Sequence, residues 1–469
     1  MSSASQEEQN IELRKQTKII LNMDSVKSYF KHNSLYERVN KLLVSYDWSD
    51  CNFHVSGREF KAHKLILAIS SPVFEAMFYG PLSTNDSIAI TDIDPNIFQL
   101  LLNYIYTDKV DILSIEDAYD LLYVAKKYLL ETLIEICLEY IKSNTSIDNV
   151  IHILNHPDYM QDNELVTHAL KLFSQHAYHL LEEHKFDISI ASWKKILERS
   201  EINIKEKDLI KILFAWSFFY AKKYKLSTEA SYRREILSKT GLFKLLRFLT
   251  LSVDDLDNIV NDKFNLLLPD EILGIRHMIT KMLPIDKGIK LDDQLHVVTV
   301  PRKPIEIKWL LCHRALIRSE SPITIDSHHY CIQSRLKADK TFFLHSLKIQ
   351  SRMAPANNFY NSTNNYNEDF VISVVSEADN SIIKEFDFKE DVEYDRCLDI
   401  EFSQPVCIRK DQLIKIRFIW PHLSVYDSHQ YSVQSRDTSY ASKIKFEFQD
   451  ISSITNTDGS FLKGLEYCM

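Results

Sequence analysis

The sequence predicts a multidomain α+β protein: a compact α+β unit, then an all-helical stretch, then an antiparallel β-sandwich. Three observations carry this reading. Apolar residues recur at helical spacing almost throughout 146–285. From about residue 300 the period drops to two: Ile414, Ile416 and Phe418 alternate with Lys415 and Arg417, and Ile444, Phe446 and Phe448 with Lys445 and Glu447. Before residue 142 short strands and short helices interleave. A chain of 469 residues has room for roughly two to four such units.

Residues 1–30 show no sustained periodicity and read as a flexible lead. Ser34 is placed to cap a short helix carrying Leu35, Val39, Leu42 and Leu43 on one face. The alternating runs CNFHV and REFKA, separated by Ser56-Gly57, read as a hairpin with Phe53, Val55 and Phe60 inward. Leu65, Ile66, Ala68 and Ile69 make a helix so apolar that it is expected to be buried. Ser71-Pro72 opens the next helix, with Glu75 at its positive end. SIAI (87–90) is a third strand, and Asp94-Pro95 starts a helix with Ile97, Leu101, Tyr104 and Ile105 on one face. Ser114 with Asp117 forms an acidic variant of the capping box for a helix to Lys127, and a last helix covers 131–141.

Helical segments follow at 164–181, 205–224 and 254–283, and the connecting stretches carry Pro157 and Asp187. In the last region, 370–375 and 382–388 read as strands flanking a polar turn at 378–381. The Asn-rich run 357–367 reads as a loop, and Pro405 and Pro421 are expected at strand ends.

Composition narrows the function. Apolar content is 45% and charged content 26%, as in an ordinary globular protein. The net charge of −9 gives no general pull toward nucleic acid or anionic lipid. The longest apolar run, 212–221, is about half of what a membrane span needs. The polar N-terminus carries no secretory pattern, so a cytoplasmic chain is expected. Seven scattered cysteines without a CxxC pair suggest reduced thiols, not a disulfide framework or zinc module. Seven glycines leave no glycine-dense phosphate loop, and no GxSxG, HExxH or GxxxxGK[ST] occurs. The expectation is a non-enzyme with no cofactor and no metal. His63, at a strand-to-helix junction, reads as a structural group that satisfies nearby backbone, and His328, His329 and Cys331 suit no zinc spacing.

Two stretches, SDCNFHVSGREFKAHKLILAISSPVFEAMFYG and AITDIDPNIFQLLLNYIYTDKVDI, resemble the BTB (POZ) domain. The matching positions include Asp50, Phe60, Ala62, His63, Lys64, Leu67, Ser71, Phe74, Met77, Phe78, Phe98, Tyr104, Tyr106 and Thr107. Downstream, KEKDLIKILFAWSFFYAKK looks like a BACK domain through Leu209 and Trp216. LCHRAL, HYCIQSRL, TFFLHSLKIQ and KIKFEF lie in the order of a PHR-type sandwich. The chain thus resembles the BTB–BACK–PHR adaptors, in particular the subgroup called BTB/POZ domain-containing protein 6-like. It departs from them at 347–351, LKIQS, where the family has a glycine-rich loop. On this resemblance 31–142 is the BTB/POZ domain, 143–290 the helical BACK domain and 300–469 the PHR-like sandwich.

The resemblance implies a substrate-recognition adaptor of a cullin-3 ubiquitin ligase. Its BTB domain would form a homodimer and dock cullin-3, and its sandwich would bind an unidentified target protein. The alternative is a scaffold or transcriptional co-regulator that dimerises without cullin. The candidate cullin-binding residues are Met77, Phe78, Leu82, Thr84, Tyr104, Tyr106 and Asp108. The family commonly places glutamate where this chain has Thr84. The candidate dimer residues are Leu35, Val39, Leu42 and Leu43. A physical argument supports the first set. Met77, Phe78, Tyr79 and Leu82 are nearly consecutive, so one helix face cannot bury them all.

Overall fold

The computed structural model describes residues 34–81, 87–184, 186–280, 298–314, 322–355, 365–431, 438–441, 444–451 and 461–469. It divides into two compact units, one of residues up to 145 with 156–169, the other of 146–155 with 170–469.

The first unit opens with helix α1 (Leu35–Ser45). Its capping box is complete: the Ser34 hydroxyl accepts the Glu37 N–H at 3.2 Å, and the Glu37 carboxylate accepts the Ser34 N–H at 2.8 Å. Strands β1 (Cys51–Val55) and β2 (Arg58–Ala62) form an antiparallel hairpin. Ser56 and Gly57 both take positive φ (45° and 89°), as a two-residue hairpin turn needs. Strand β3 (Ser87–Ile90) adds parallel to β1. Around this sheet lie α2 (Lys64–Ser70), α3 (Pro72–Tyr79), α4 (Pro95–Thr107), α5 (Ile115–Lys127) and α6 (Glu131–Ser143). Their caps follow the sequence. Ser71, Asp94 and Ser114 side chains accept the N–H groups of Phe74, Asn96 and Asp117. The core is aromatic, with Phe98 5.1 Å from Phe53 and 5.2 Å from Phe60 between ring centroids.

One expectation fails here. Helix α2 is not buried. Only Leu67 points into the core, while Leu65 is 64% and Ile69 76% exposed. Two helical turns offer a single inward stripe, so the remaining apolar residues have nowhere inside to go.

The second unit joins helices and sheets. Its helical part contains α7 (Val150–Asn155), the end of α8 (Asn163–Gln175), α9 (Ala177–His184), α10 (Ile190–Leu197), α11 (Glu206–Lys223), α12 (Ala230–Lys239), α13 (Val253–Val260) and α14 (Pro269–Thr280). Two predicted helical segments are therefore divided. The stretch 164–181 breaks at His176, whose ring stacks on Phe343 at 4.2 Å. The stretch 254–283 breaks after α13, where Asp262 and Asn265 side chains accept the N–H groups of Phe264 and Leu267 in place of helical carbonyls. Residues 281–283 lie outside the described residues.

The C-terminal strands are β4 (Leu310–His313), β5 (Ile323–Asp326), β6 (Cys331–Ala338), β7 (Phe342–Gln350), β8 (Asn365–Ser376), β9 (Ile382–Glu393), β10 (Cys397–Ile408), β11 (Ile414–Ile419), β12 (Ser428–Tyr431), β13 (Thr438–Ala441), β14 (Ile444–Ile451) and β15 (Leu462–Cys468). They form antiparallel sheets in the orders β10-β7-β15-β4 and β13-β14-β6-β11-β8-β9, with β12-β5 as a small third. Ile414, Ile416, Phe418, Ile444, Phe446 and Phe448 are all buried in the core between them, as the alternation predicts. The predicted loop 357–367 is shorter at its end, because β8 begins at Asn365. Its first part lies outside the described residues. Pro405 is inside β10, not at its end. It is tolerated because the pairing with β7 shifts register between Glu401 and Val406. Leu347 to Gln350, at the family's glycine-rich position, belong to β7.

The chain entering the sandwich is strapped to the helices of the same unit. The Arg302 guanidinium is buried against Glu206, and it also donates to the carbonyls of Leu197, Arg199 and Leu245. Ile202 N–H donates to Lys303 O at 2.8 Å, and Lys303 N–H to Ser200 O at 2.9 Å. Arg409 ties the sandwich to Asp148 at 2.8 Å and to Glu183.

Candidate protein-docking site

His63 sits between β2 and α2 and is nearly buried. Its Nε2 lies 2.7 Å from the Asp47 carbonyl and its Nδ1 2.7 Å from the Tyr106 hydroxyl. A carbonyl only accepts, so Nε2 donates and Nδ1 accepts from Tyr106. The same hydroxyl oxygen accepts the His63 backbone N–H at 2.9 Å. Burial raises the Tyr106 phenol above its ordinary pKa. The histidine is a brace between α4, the hairpin and the turn after α1. Asp50, beside it, caps α2 by accepting the Lys64 N–H at 2.7 Å.

Helix α3, held against the hairpin by Phe74 and Phe78 on Phe53, distributes its apolar residues on two sides. Phe78 turns inward, 6.2 Å from both Phe53 and Phe74. Tyr79 turns out and is 60% exposed, with Met77 half-buried beside it. Tyr104 and Tyr106 are buried on α4, so burial also raises the Tyr104 phenol. Asp108 is exposed, and its N–H closes α4 onto the Tyr104 carbonyl at 2.7 Å. Leu82 and Thr84 lie outside the described residues. The expected contact set is thus divided: Met77 and Asp108 are accessible, whereas Phe78, Tyr104 and Tyr106 are core.

The proposed dimer residues divide in the same way. Leu43 is buried, and α1 packs on α4 inside its own unit. Val39 and Leu42 are half-buried, and Leu35 is 69% exposed. Sequence reasoning passed over other accessible apolar groups: Leu65 and Ile69 on α2, Val44 at the end of α1, and Trp48, which is 82% exposed. The run Leu65–Ile69 held the signal for α2, since it is too apolar for one helix face. Trp48 gave no periodic signal, because it stands in a turn with φ 60°.

The other candidates are local structure. The His328 and His329 amides both donate to Asp326 Oδ1 at 2.8 Å. Among the described residues no three His, Cys, Asp or Glu side chains come together as a metal set, and no helix is long and apolar enough to cross a membrane.

A family model described as the BTB/POZ domain matches residues 39–145. BTB/POZ domain-containing protein 6-A of Danio rerio is 29% identical over 214 residues, 44% of this chain and 39% of the relative. BTB/POZ domain-containing protein 3 of Homo sapiens is 30% identical over 198 residues, 42% of this chain and 37% of the relative. BTB/POZ domain-containing protein 6-B of Danio rerio is 28% identical over 244 residues, 50% of each. The chain therefore spans half or less of the length of these curated relatives. A solved structure, the BTB domain of zebrafish PATZ1, is 29% identical and covers 24% of this chain and 90% of that one, with a TM-score of 0.22. With its hairpin, parallel third strand and encircling helices, the first unit carries a protein-interaction module, and the chain is a BTB/POZ-domain protein similar to the BTB/POZ domain-containing protein 6 group.

Proposed function

We propose that this chain is a substrate-recognition adaptor of a cullin-3 ubiquitin ligase, acting in the cytoplasm without catalysis or cofactor of its own. Its BTB/POZ domain dimerises and docks cullin-3, its helical region serves as a BACK domain, and its PHR-like sandwich holds the target protein. The observation that carries the reading is the divided α3 helix. Tyr79 is exposed and Met77 half-buried on α3, and Leu65 and Ile69 are exposed on α2, in the region where the resembling family docks cullin. Several large apolar groups left exposed on two helices that pack together favour a protein partner.

Burial of Phe78, Tyr104 and Tyr106 favours a smaller cullin contact, and so keeps the scaffold reading as the second. Thr84 points the same way. Glutamate there would accept a charge-assisted hydrogen bond of about 1.5–3 kcal/mol, roughly ten- to a hundredfold in affinity. Calorimetry of the full chain against the cullin-3 N-terminal domain tests both. Wild type should bind, Tyr79→Asp should abolish binding, and Thr84→Glu should tighten it. No binding by wild type or by Thr84→Glu would leave the scaffold that dimerises without cullin.

A further inference from the structure

Four strands form the outer edges of the two large sheets, and three of them are blunted. Strands β4 and β13 have only four residues each. Strand β10 has twelve, but its register slips between Glu401 and Val406 with Pro405 in the slip. Short strands, bulges and prolines are the usual ways in which an edge is closed to pairing. Strand β9 differs. It has twelve residues and no proline, and beyond one register shift at Ile383, near its start, its pairing with β8 runs unbroken from Lys384↔Val374 to Glu393↔Asn365. Among the described residues no strand pairs with its outer side.

The side chains of β9 give this edge a sign. Phe386, Phe388 and Val392 turn to the core, so Glu385, Asp387 and Asp391 share the outer face. Glu385 accepts the Ser373 hydroxyl and Asp391 the Asn367 amide, neutral partners that leave both charges uncompensated. Among the described residues Asp387 and Glu390 pair with no cation either. Lys389 is paired with Asp369 at 2.8 Å, and Glu393 with Arg396 at 2.9 Å. What remains on the strand is four carboxylates against Lys384. A second copy of β9 would set carboxylates opposite carboxylates, which is unfavourable. A segment of opposite sign meets no such barrier.

We infer that the free edge of β9 is a docking site for an extended, lysine- or arginine-rich segment of a partner protein, added to the sheet as a further strand. Backbone hydrogen bonds to β9 supply the pairing, and alternate basic side chains meet Glu385, Asp387 and Asp391. The inference deepens the reading of the sandwich as the part that holds the target, and rests on it for its biological meaning. Its test is independent of cullin, so failure of either leaves the other standing.

The test is fluorescence anisotropy of the full chain with three labelled ten-residue peptides: lysine alternating with valine, glutamate alternating with valine, and the lysine peptide with two central prolines. The lysine peptide should bind, and its affinity should fall by about tenfold or more as salt rises from about 50 to about 500 mM. The glutamate peptide should not bind, because its charge matches that of the edge. The proline peptide should bind at least about tenfold more weakly, because proline donates no ladder hydrogen bond. Glu385→Lys with Asp387→Lys should weaken the lysine peptide by about tenfold or more, while Glu447→Lys on β14 should not. Circular dichroism confirms that the variants fold. Equal binding of the proline peptide would reduce the effect to charge alone and overturn strand addition. No binding of the lysine peptide, or indifference to the double charge reversal, would overturn the site.

Discussion

Arg352→Met tests the polar cluster inside the sandwich. Glu368 is fully buried. Its Oε1 accepts from Arg352 Nη2 at 2.9 Å, Tyr431 OH at 3.0 Å and Trp420 Nε1 at 3.2 Å, and its Oε2 accepts from Tyr366 OH at 2.7 Å. Arg352 is itself held, lying over the Tyr366 ring at 4.5 Å with its Nε 3.2 Å from the Tyr431 hydroxyl. Methionine keeps the apolar stem and removes the cation. Three neutral donors remain for the carboxylate, but its charge stays buried without a counter-charge. Breaking a buried pair from one side costs about 3–5 kcal/mol. Adding Glu368→Gln removes the stranded charge while keeping an acceptor for the tyrosines, so the double variant should recover about half of the loss or more. The assay is hydrogen exchange by mass spectrometry on the full chain, reading the slowest amides of β8 and β12. The single variant should exchange fastest, with the double variant between it and wild type. A single variant as protected as wild type would refute the argument, and so would a double variant no better than the single.

Two further predictions use the same kind of reasoning. Burial, followed by the neighbouring His179, lowers His176 to a pKa of about 4. A histidine depressed in the fold takes up protons more readily when unfolded. Its contribution is therefore present above about pH 6.5 and is lost as pH falls toward 4, on the order of 3 kcal/mol. Calorimetry at pH 7 and pH 4.5 should show a larger drop in Tm for wild type than for His176→Phe, which keeps the stack on Phe343 without the titrating group. In the first unit, Tyr106→Phe strips the His63 ring and backbone N–H of their shared partner. It should destabilise the β1–β2 hairpin by about 1–3 kcal/mol, read as faster exchange of its amides, and unchanged exchange would count against the brace.

The features that local chemistry controls were determined by the sequence itself. Ser34, Ser71, Asp94 and Ser114 mark helix starts because each side chain bonds an N–H two or three residues on. Ser56-Gly57 marks the hairpin because its backbone conformation suits those residues. Alternation placed Ile414, Ile416 and Phe418 inside because a strand has two faces. Tertiary structure alone decided the rest. Phe78 is core and Tyr79 surface because the direction of α3 depends on the hairpin and on α4, which the His63–Tyr106 bond joins across 43 positions. The buried contacts of Glu368 come from residues 352, 366, 420 and 431, which meet only when the strands have taken their places. The opening of β9 is likewise a property of strand order, not of its own residues, because an edge exists only once every other strand has found its partner.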